Sequence, residues 1–180
     1  VSSQAVKAME EEGVIEVTES SSYRKVTTDS MENAEGREDI NLNDTQRKIA
    51  DEFCSDIDNG IRKTYLLHGV TGSGKTEVYV RCIRKVIEEG RQAIVLIPEI
   101  ALTYQTVRYF TRYFGDRVTF VNSKLSSGEK YDQFERAKRG EVDVVIGPRS
   151  ALFTPFERLG LIVIDEEHEG SYKSDNPPKY

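Results

Sequence analysis

Eight consecutive residues, Gly69-Val70-Thr71-Gly72-Ser73-Gly74-Lys75-Thr76, follow the pattern G-x-x-x-x-G-K-[ST]. A loop that wraps phosphate must turn successive backbone N–H groups inward, where side chains would obstruct it. Gly72 and Gly74 permit the backbone angles this needs. A helix beginning near Lys75 adds its positive N-terminal end. Lys75 is placed to reach the β- and γ-phosphates of a nucleotide, and the Thr76 hydroxyl to ligate Mg²⁺. A second group, Asp165-Glu166-Glu167-His168, follows a buried-strand pattern. Asp165 can hold the metal ion, usually through water. Glu166 can orient and deprotonate an attacking water, which favours hydrolysis over transfer to a small substrate. His168 could couple the nucleotide site to another site by hydrogen bonding. His68, just before the glycine-rich loop, reads as structural.

These groups need elements to hold them. Tyr65-Leu66-Leu67-His68 has the look of a buried strand leading into the loop. Glu77 to Glu89 repeats Val78, Cys82, Val86 and Ile83, Ile87 at helical spacing. Strands are predicted over Ala93–Ile97, stopped by Pro98, then Arg117–Val121, Glu141–Ile146 and Leu161–Asp165. The last is continuously apolar, as in a strand buried on both faces of a parallel sheet. Helices are predicted over Ala101–Phe114, rich in aromatic packing residues, and over Ser127–Arg139, capped by Ser126 or Ser127. The basic end of the latter, Arg136, Lys138 and Arg139, suits the helix dipole. Asn43 or Asp44 can cap a helix running to about Asp58, with Ile49, Phe53 and Ile57 as its buried stripe. Gln46, near its start, is a surface glutamine made interesting by its place upstream of the loop. Alternating strands and helices predict a doubly wound, mainly parallel α/β sheet, with functional loops at the C-terminal strand ends. The glycine-rich loop, Pro98-Glu99, Gly147-Pro148-Arg149-Ser150 and Asp165-Glu166 all fall there.

Upstream, Gln4–Glu12 reads as a short helix stopped by Gly13. Val14–Thr18 and Tyr23–Val26 read as strands about a turn. Residues 1–28 thus resemble the C-terminal part of a winged helix. Glu10, Glu11 and Glu12 would repel phosphate, so a structural or partner-contacting role is favoured over groove reading. Residues 29–40 are acidic and aperiodic, a linker. Residues 41–180 form the main domain.

The formal net charge is −6, with 37% hydrophobic and 31% charged residues. The charge lies in residues 1–40, and the remainder balances. That argues against broad nonspecific nucleic-acid binding but leaves room for a local DNA track. Cys54 and Cys82 each sit on the apolar side of a predicted helix and read as buried free thiols. No zinc-ligand spacing occurs. No run approaches membrane-spanning length and no signal peptide is visible, so a cytoplasmic protein without membrane attachment is expected. The first residue is not Met, and the sequence stops soon after the acidic motif. An excised piece of a longer protein is expected.

Asp165-Glu166-Glu167-His168 makes the chain resemble superfamily 2 DNA helicases. The fuller set resembles the PriA family (primosomal protein N′) of bacterial replication-restart helicases. That set is Leu67 to Tyr79, Pro98-Glu99-Ile100-Ala101-Leu102-Thr103, Arg149-Ser150-Ala151-Leu152-Phe153, and the acidic motif with Ser171-Tyr172-Lys173. Pro148 and Asn122 depart from the family pattern, which tends to carry Thr and His there. The resemblance implies a RecA-like fold and a 3′-to-5′ helicase that uses ATP and Mg²⁺ on single-stranded or forked DNA. Its implied partners are the primosome and single-strand-binding proteins. It implies that Gln46 reads adenine, and that Thr103, Arg149 and Ser150 lie along single-stranded DNA. Zinc is expected only in a cysteine-rich region outside this sequence, as is a second motor domain carrying the arginine finger. The 180 residues alone are therefore expected to bind nucleotide, hydrolyse it poorly and not unwind DNA. Two other readings are an ATP-driven double-stranded DNA translocase and a nucleotide-gated interaction module.

Overall fold

A computed structural model describes residues 3–16 and 40–173. The elements are α1 (Ser3–Glu11), α2 (Asp44–Asp58), α3 (Lys75–Glu88), β1 (Gln92–Leu96), α4 (Tyr104–Phe114), β2 (Val118–Phe120), α5 (Ser127–Lys138), β3 (Val144–Gly147) and β4 (Leu159–Ile164). Single 3₁₀ turns follow three strand ends, at Glu99–Ala101, Arg149–Phe153 and Gly170–Tyr172. The strands form one sheet in the order β2-β3-β1-β4, and every pairing is parallel. This is the α/β architecture of RecA-like P-loop domains.

The sheet is packed on two sides. Ala93, Val95 and Ile97 face one cluster with Val144 and Ile146, under Val80 and Ile83 of α3 and Phe110 and Phe114 of α4. Ile94 and Leu96 face the other with Val145, under Ala137 of α5 and Ala151. Alternation along a strand normally sends apolar residues to one face and polar residues to the other. Here both faces are covered, so both sets are apolar and the run is continuous. A smaller cluster of Leu42, Ala50, Val78 and Cys82 joins α2 to α3.

Three expectations need correction. Tyr65–His68 is not a strand: residues 61–70 are irregular, and Leu66 is 78% exposed. The segment is held instead along α2. The Tyr65 hydroxyl bonds Asp56, its ring meets Phe53 edge-on at 5.2 Å, and Lys63 pairs with Asp56. Second, the buried stripe of α2 is Ala50 and Cys54, while Ile49 is 41% exposed. The apolar set at Ile49, Phe53 and Ile57 lies one residue around the helix from the line that meets α3. Third, β4 is paired with β1 but is not enclosed, with Ile162 and Ile164 exposed. It is one of the two edges of the sheet among the described residues, β2 being the other.

The remaining boundaries lie within two residues of expectation, except that β3 begins at Val144 rather than Glu141. Ser126 caps α5 in a reciprocal capping box with Glu129. At the other end of that helix Arg136 pairs with Glu141, and Arg139 with Glu135. The predicted Ala101–Phe114 helix is a 3₁₀ turn followed by α4, which Thr103 caps. Helix α1 is present and Gly13 ends it, whereas residues 14–16 are irregular. The rest of the predicted hairpin and the linker through residue 39 lie outside the described residues. No helix among the described residues is long and apolar enough to cross a membrane.

Phe110 is 1% exposed and central to the larger cluster. Phe110→Ala should lower the unfolding free energy by about 3–5 kcal/mol, read by urea denaturation. Cys54 and Cys82 are buried free thiols, and burial pushes Cys82 up to about 12 and Cys54 upward. Raised values leave little thiolate at pH 8. A thiol-disulfide reagent should therefore label neither in the native protein and both after denaturation.

Candidate nucleotide-binding site

The phosphate-loop geometry follows from two left-handed glycines, Gly72 at φ 78° and Gly74 at φ 79°. Gly74 is the residue before α3, so the loop opens directly onto the helix N-terminus. Within the loop the Ser73 N–H donates to the Val70 carbonyl at 3.1 Å. The Lys75 ammonium donates to the carbonyls of Gly69 at 2.8 Å and Val70 at 3.2 Å, lying across the loop.

Gln46 holds this loop from behind. It forms a capping box with Asn43 at the start of α2, its Oε1 accepting the Asn43 N–H at 2.9 Å. Its Nε2 donates to the carbonyls of Ser73 at 3.1 Å and Gly74 at 3.3 Å. A peptide's carbonyl and N–H point opposite ways. Carbonyls turned toward Gln46 therefore turn the N–H groups of Gly74 and Lys75 away from it, as an anion-binding loop requires. A Cβ on Gly74 would stand 2.1 Å from Gln46 Nε2, so this position has two reasons to be glycine.

Asp165 continues the line of β4, its N–H donating to the Leu96 carbonyl at 2.9 Å. Each part of the residue is held. Oδ1 accepts the Glu166 N–H at 3.1 Å, Oδ2 lies 3.2 Å from the Tyr79 hydroxyl, and the main-chain carbonyl accepts from the Tyr172 hydroxyl at 2.8 Å. The Tyr79 hydroxyl is also 3.3 Å from Thr76 Oγ1. Thr76 and Asp165 thus meet across one phenol. Burial, then the neighbouring Asp165 charge, raises Tyr79 well above the usual tyrosine range, and burial raises Tyr172 likewise. Both hydroxyls stay protonated donors throughout the neutral range.

Glu166 adopts φ 49°, a left-handed conformation uncommon for a residue with a side chain and concentrated at functional sites. Its carboxylate is 3.5 Å from His168 Nε2, and both side chains are substantially exposed. A cleft of about 310 Å³ adjoins Asp165, bordered by Thr76, Glu77, Tyr79, Gln105 and Tyr109. Thr76 and Asp165 offer a hydroxyl and one carboxylate, hard oxygen donors of the kind Mg²⁺ takes while keeping several waters. The residues present fit that ion. No group of three or more acidic, histidine or cysteine side chains suited to a metal occurs among the described residues.

The candidate DNA-contact residues lie at the ends of β1 and β3. Thr103 caps α4, its Oγ1 accepting the Thr106 N–H at 3.3 Å. The Arg149 guanidinium donates to the Tyr172 carbonyl at 3.4 Å, and Ser150 is exposed on the same turn. Glu99 accepts the Ser123 N–H at 2.8 Å, and hydrogen bonding from the Ser123 side chain, then from that N–H, lowers its carboxyl below the usual range. Asn122 uses Oδ1 to accept the N–H groups of Lys124 and Leu125. His68 is exposed.

A family described as type III restriction enzyme, res subunit, matches residues 39–180. The chain belongs to this family. Among individual relatives it is 45% identical over 179 residues to the replication restart protein PriA of Bacillus subtilis, covering 99% of this chain and 22% of that one. It is 38% identical to the protein of that name from Haemophilus influenzae, covering 97% and 23%. The Chlamydia muridarum protein is 52% identical over 119 residues, covering 66% and 16%. The chain thus spans about a fifth of the length of these relatives. The family match over residues 39–180 spans the loop, Asp165 and the two tyrosines that hold it.

The sequence reading gave no role to Asn43 as a box partner, or to Tyr79 and Tyr172. Tyr79 had a signal. It stands three residues after Thr76, one helical turn on, and a tyrosine on an apolar face must find a partner for its hydroxyl.

Gln46→Ala should cost about 1–2 kcal/mol of stability by removing the box and the loop anchors together. Gln46→Glu keeps the box acceptor but loses the two loop donations. Urea denaturation of both variants separates the helix cap from the loop support.

Proposed function

We propose that this chain is the first RecA-like motor domain of an ATP-dependent DNA helicase of replication restart, acting 3′-to-5′. The observation that carries the reading is the meeting of Thr76 and Asp165 at the Tyr79 hydroxyl, beside a phosphate loop that opens on a helix N-terminus. In this reading the loop N–H groups and Lys75 bind the nucleotide phosphates. Thr76 and Asp165 hold Mg²⁺, which when bound supplies charge neutralisation at the phosphates. Glu166 accepts the proton of the attacking water, and its contact with His168 keeps the carboxylate oriented. The loops carrying Thr103, Arg149 and Ser150 follow the DNA backbone. Gln46, already against the loop, is the adenine-side residue. Residues 1–28 are the end of a winged helix, 29–40 a linker and 41–180 the motor domain, in a cytoplasmic, nucleoid-associated protein.

The family description also admits a double-stranded DNA translocase. Identity of 45% over 99% of the chain to a replication restart protein supports the helicase reading over it. Stimulation of the full-length protein's ATPase by single-stranded rather than duplex DNA distinguishes the two.

The first test is calorimetric titration of Mg·ADP and a non-hydrolysable ATP analogue, with GTP as competitor. Adenine-selective binding that Lys75→Ala weakens at least about tenfold is expected, the scale of a lost charge-assisted hydrogen bond. Glu166→Gln should retain that binding and, in the full-length protein, lose ATP hydrolysis by about a hundredfold or more. Full-strength binding by Lys75→Ala would reject the phosphate-loop assignment.

A further inference from the structure

Between the two metal-side residues stands a group that ligates nothing itself. Tyr79 is 8% exposed, and its ring stacks on Phe110 at 6.2 Å with planes 16° apart. That packing leaves the hydroxyl little freedom. It lies 3.3 Å from Thr76 Oγ1 and 3.2 Å from Asp165 Oδ2. A phenol has one proton and an ionised carboxylate can only accept, so the proton belongs to the Asp165 contact. This arrangement holds the Thr76 hydroxyl beside Asp165, 3.3 Å from the same phenol oxygen. It also fixes one Asp165 oxygen by the phenol and the other by the Glu166 N–H. Tyr172 holds the same residue by its main-chain carbonyl.

We propose that the Tyr79 hydroxyl is a positioning group, orienting Thr76 and Asp165 so that the nucleotide site takes a divalent cation at its working affinity. Tyr79 touches neither nucleotide nor metal. This rests on the Mg·nucleotide reading above and assigns a residue to the metal half of that site alone. The phosphate contacts of the loop do not pass through Tyr79, so nucleotide affinity without metal is independent of it.

The test is titration of a fluorescent ADP into the wild-type protein and Tyr79→Phe, first with chelator and then across a Mg²⁺ series. The substitution removes one oxygen and leaves the ring on Phe110. Tyr79→Phe should bind metal-free ADP within about twofold of wild type, yet need about tenfold more Mg²⁺ for the half-maximal gain in affinity. In an Asp165→Asn background the same substitution should shift the Mg²⁺ midpoint by less than it does in the wild type, because one of the two ligands it serves is already altered. An unchanged Mg²⁺ midpoint would overturn the proposal. So would equal losses with and without metal, or a collapse of the thermal midpoint, since each marks a purely structural hydroxyl. A wild-type ADP affinity indifferent to Mg²⁺ would instead reject the underlying metal-site reading.

Discussion

One backbone hydrogen bond decides where this domain can do chemistry: the Asp165 N–H to the Leu96 carbonyl, the last rung between β4 and β1. Parallel pairing runs both strands out at the same edge. The rung therefore sets the first residue past β4 level with the end of β1, beneath the opening turn of α3. Were β4 displaced by one residue, its alternation would invert and Asp165 would point to the other face of the sheet. The spacing between phosphate loop and acidic motif is thus a property of sheet register, although nearly ninety residues of chain separate them.

The surroundings of Asp165 follow from the same constraint. A carboxylate at the end of a parallel strand sits where main-chain donors are running out. The structure supplies others: the Glu166 N–H and the Tyr79 hydroxyl from α3, while the Tyr172 hydroxyl takes up the Asp165 main-chain carbonyl. The unusual backbone angle at Glu166 turns the chain away from the strand direction and sends the side chain outward toward His168. Strain at that residue accompanies a carboxylate that is open to solvent.

Much of this was legible from residue types. The glycine-rich loop, the capped helices and the enclosed strands β1 and β3 depend on local chemistry and on alternation, both written in short windows. Tyr65–His68 and β4 misled for a shared reason. An apolar run states that a segment wants burial but not which neighbour provides it. Tyr65 finds that neighbour in Phe53 and Asp56 of α2, and β4 finds it on one side only. The stripe of α2 was misplaced because Ala50, a small residue, marks the contact line better than the larger Ile49. The tie between Thr76 and Asp165 was hidden because Tyr79 looks, in sequence, like one more core aromatic.

The burial gradient along the sheet also sets how the domain fluctuates. Every residue of β1 and β3 is buried, while the loops at their ends are partly open to water. Amide hydrogens at the middle of these strands can exchange with solvent only when the whole domain opens. Those of the phosphate loop can exchange through small local excursions. The nucleotide loop can therefore breathe many times for each unfolding event. Its attachment to α3 and to Gln46 of α2 returns it to the same position each time.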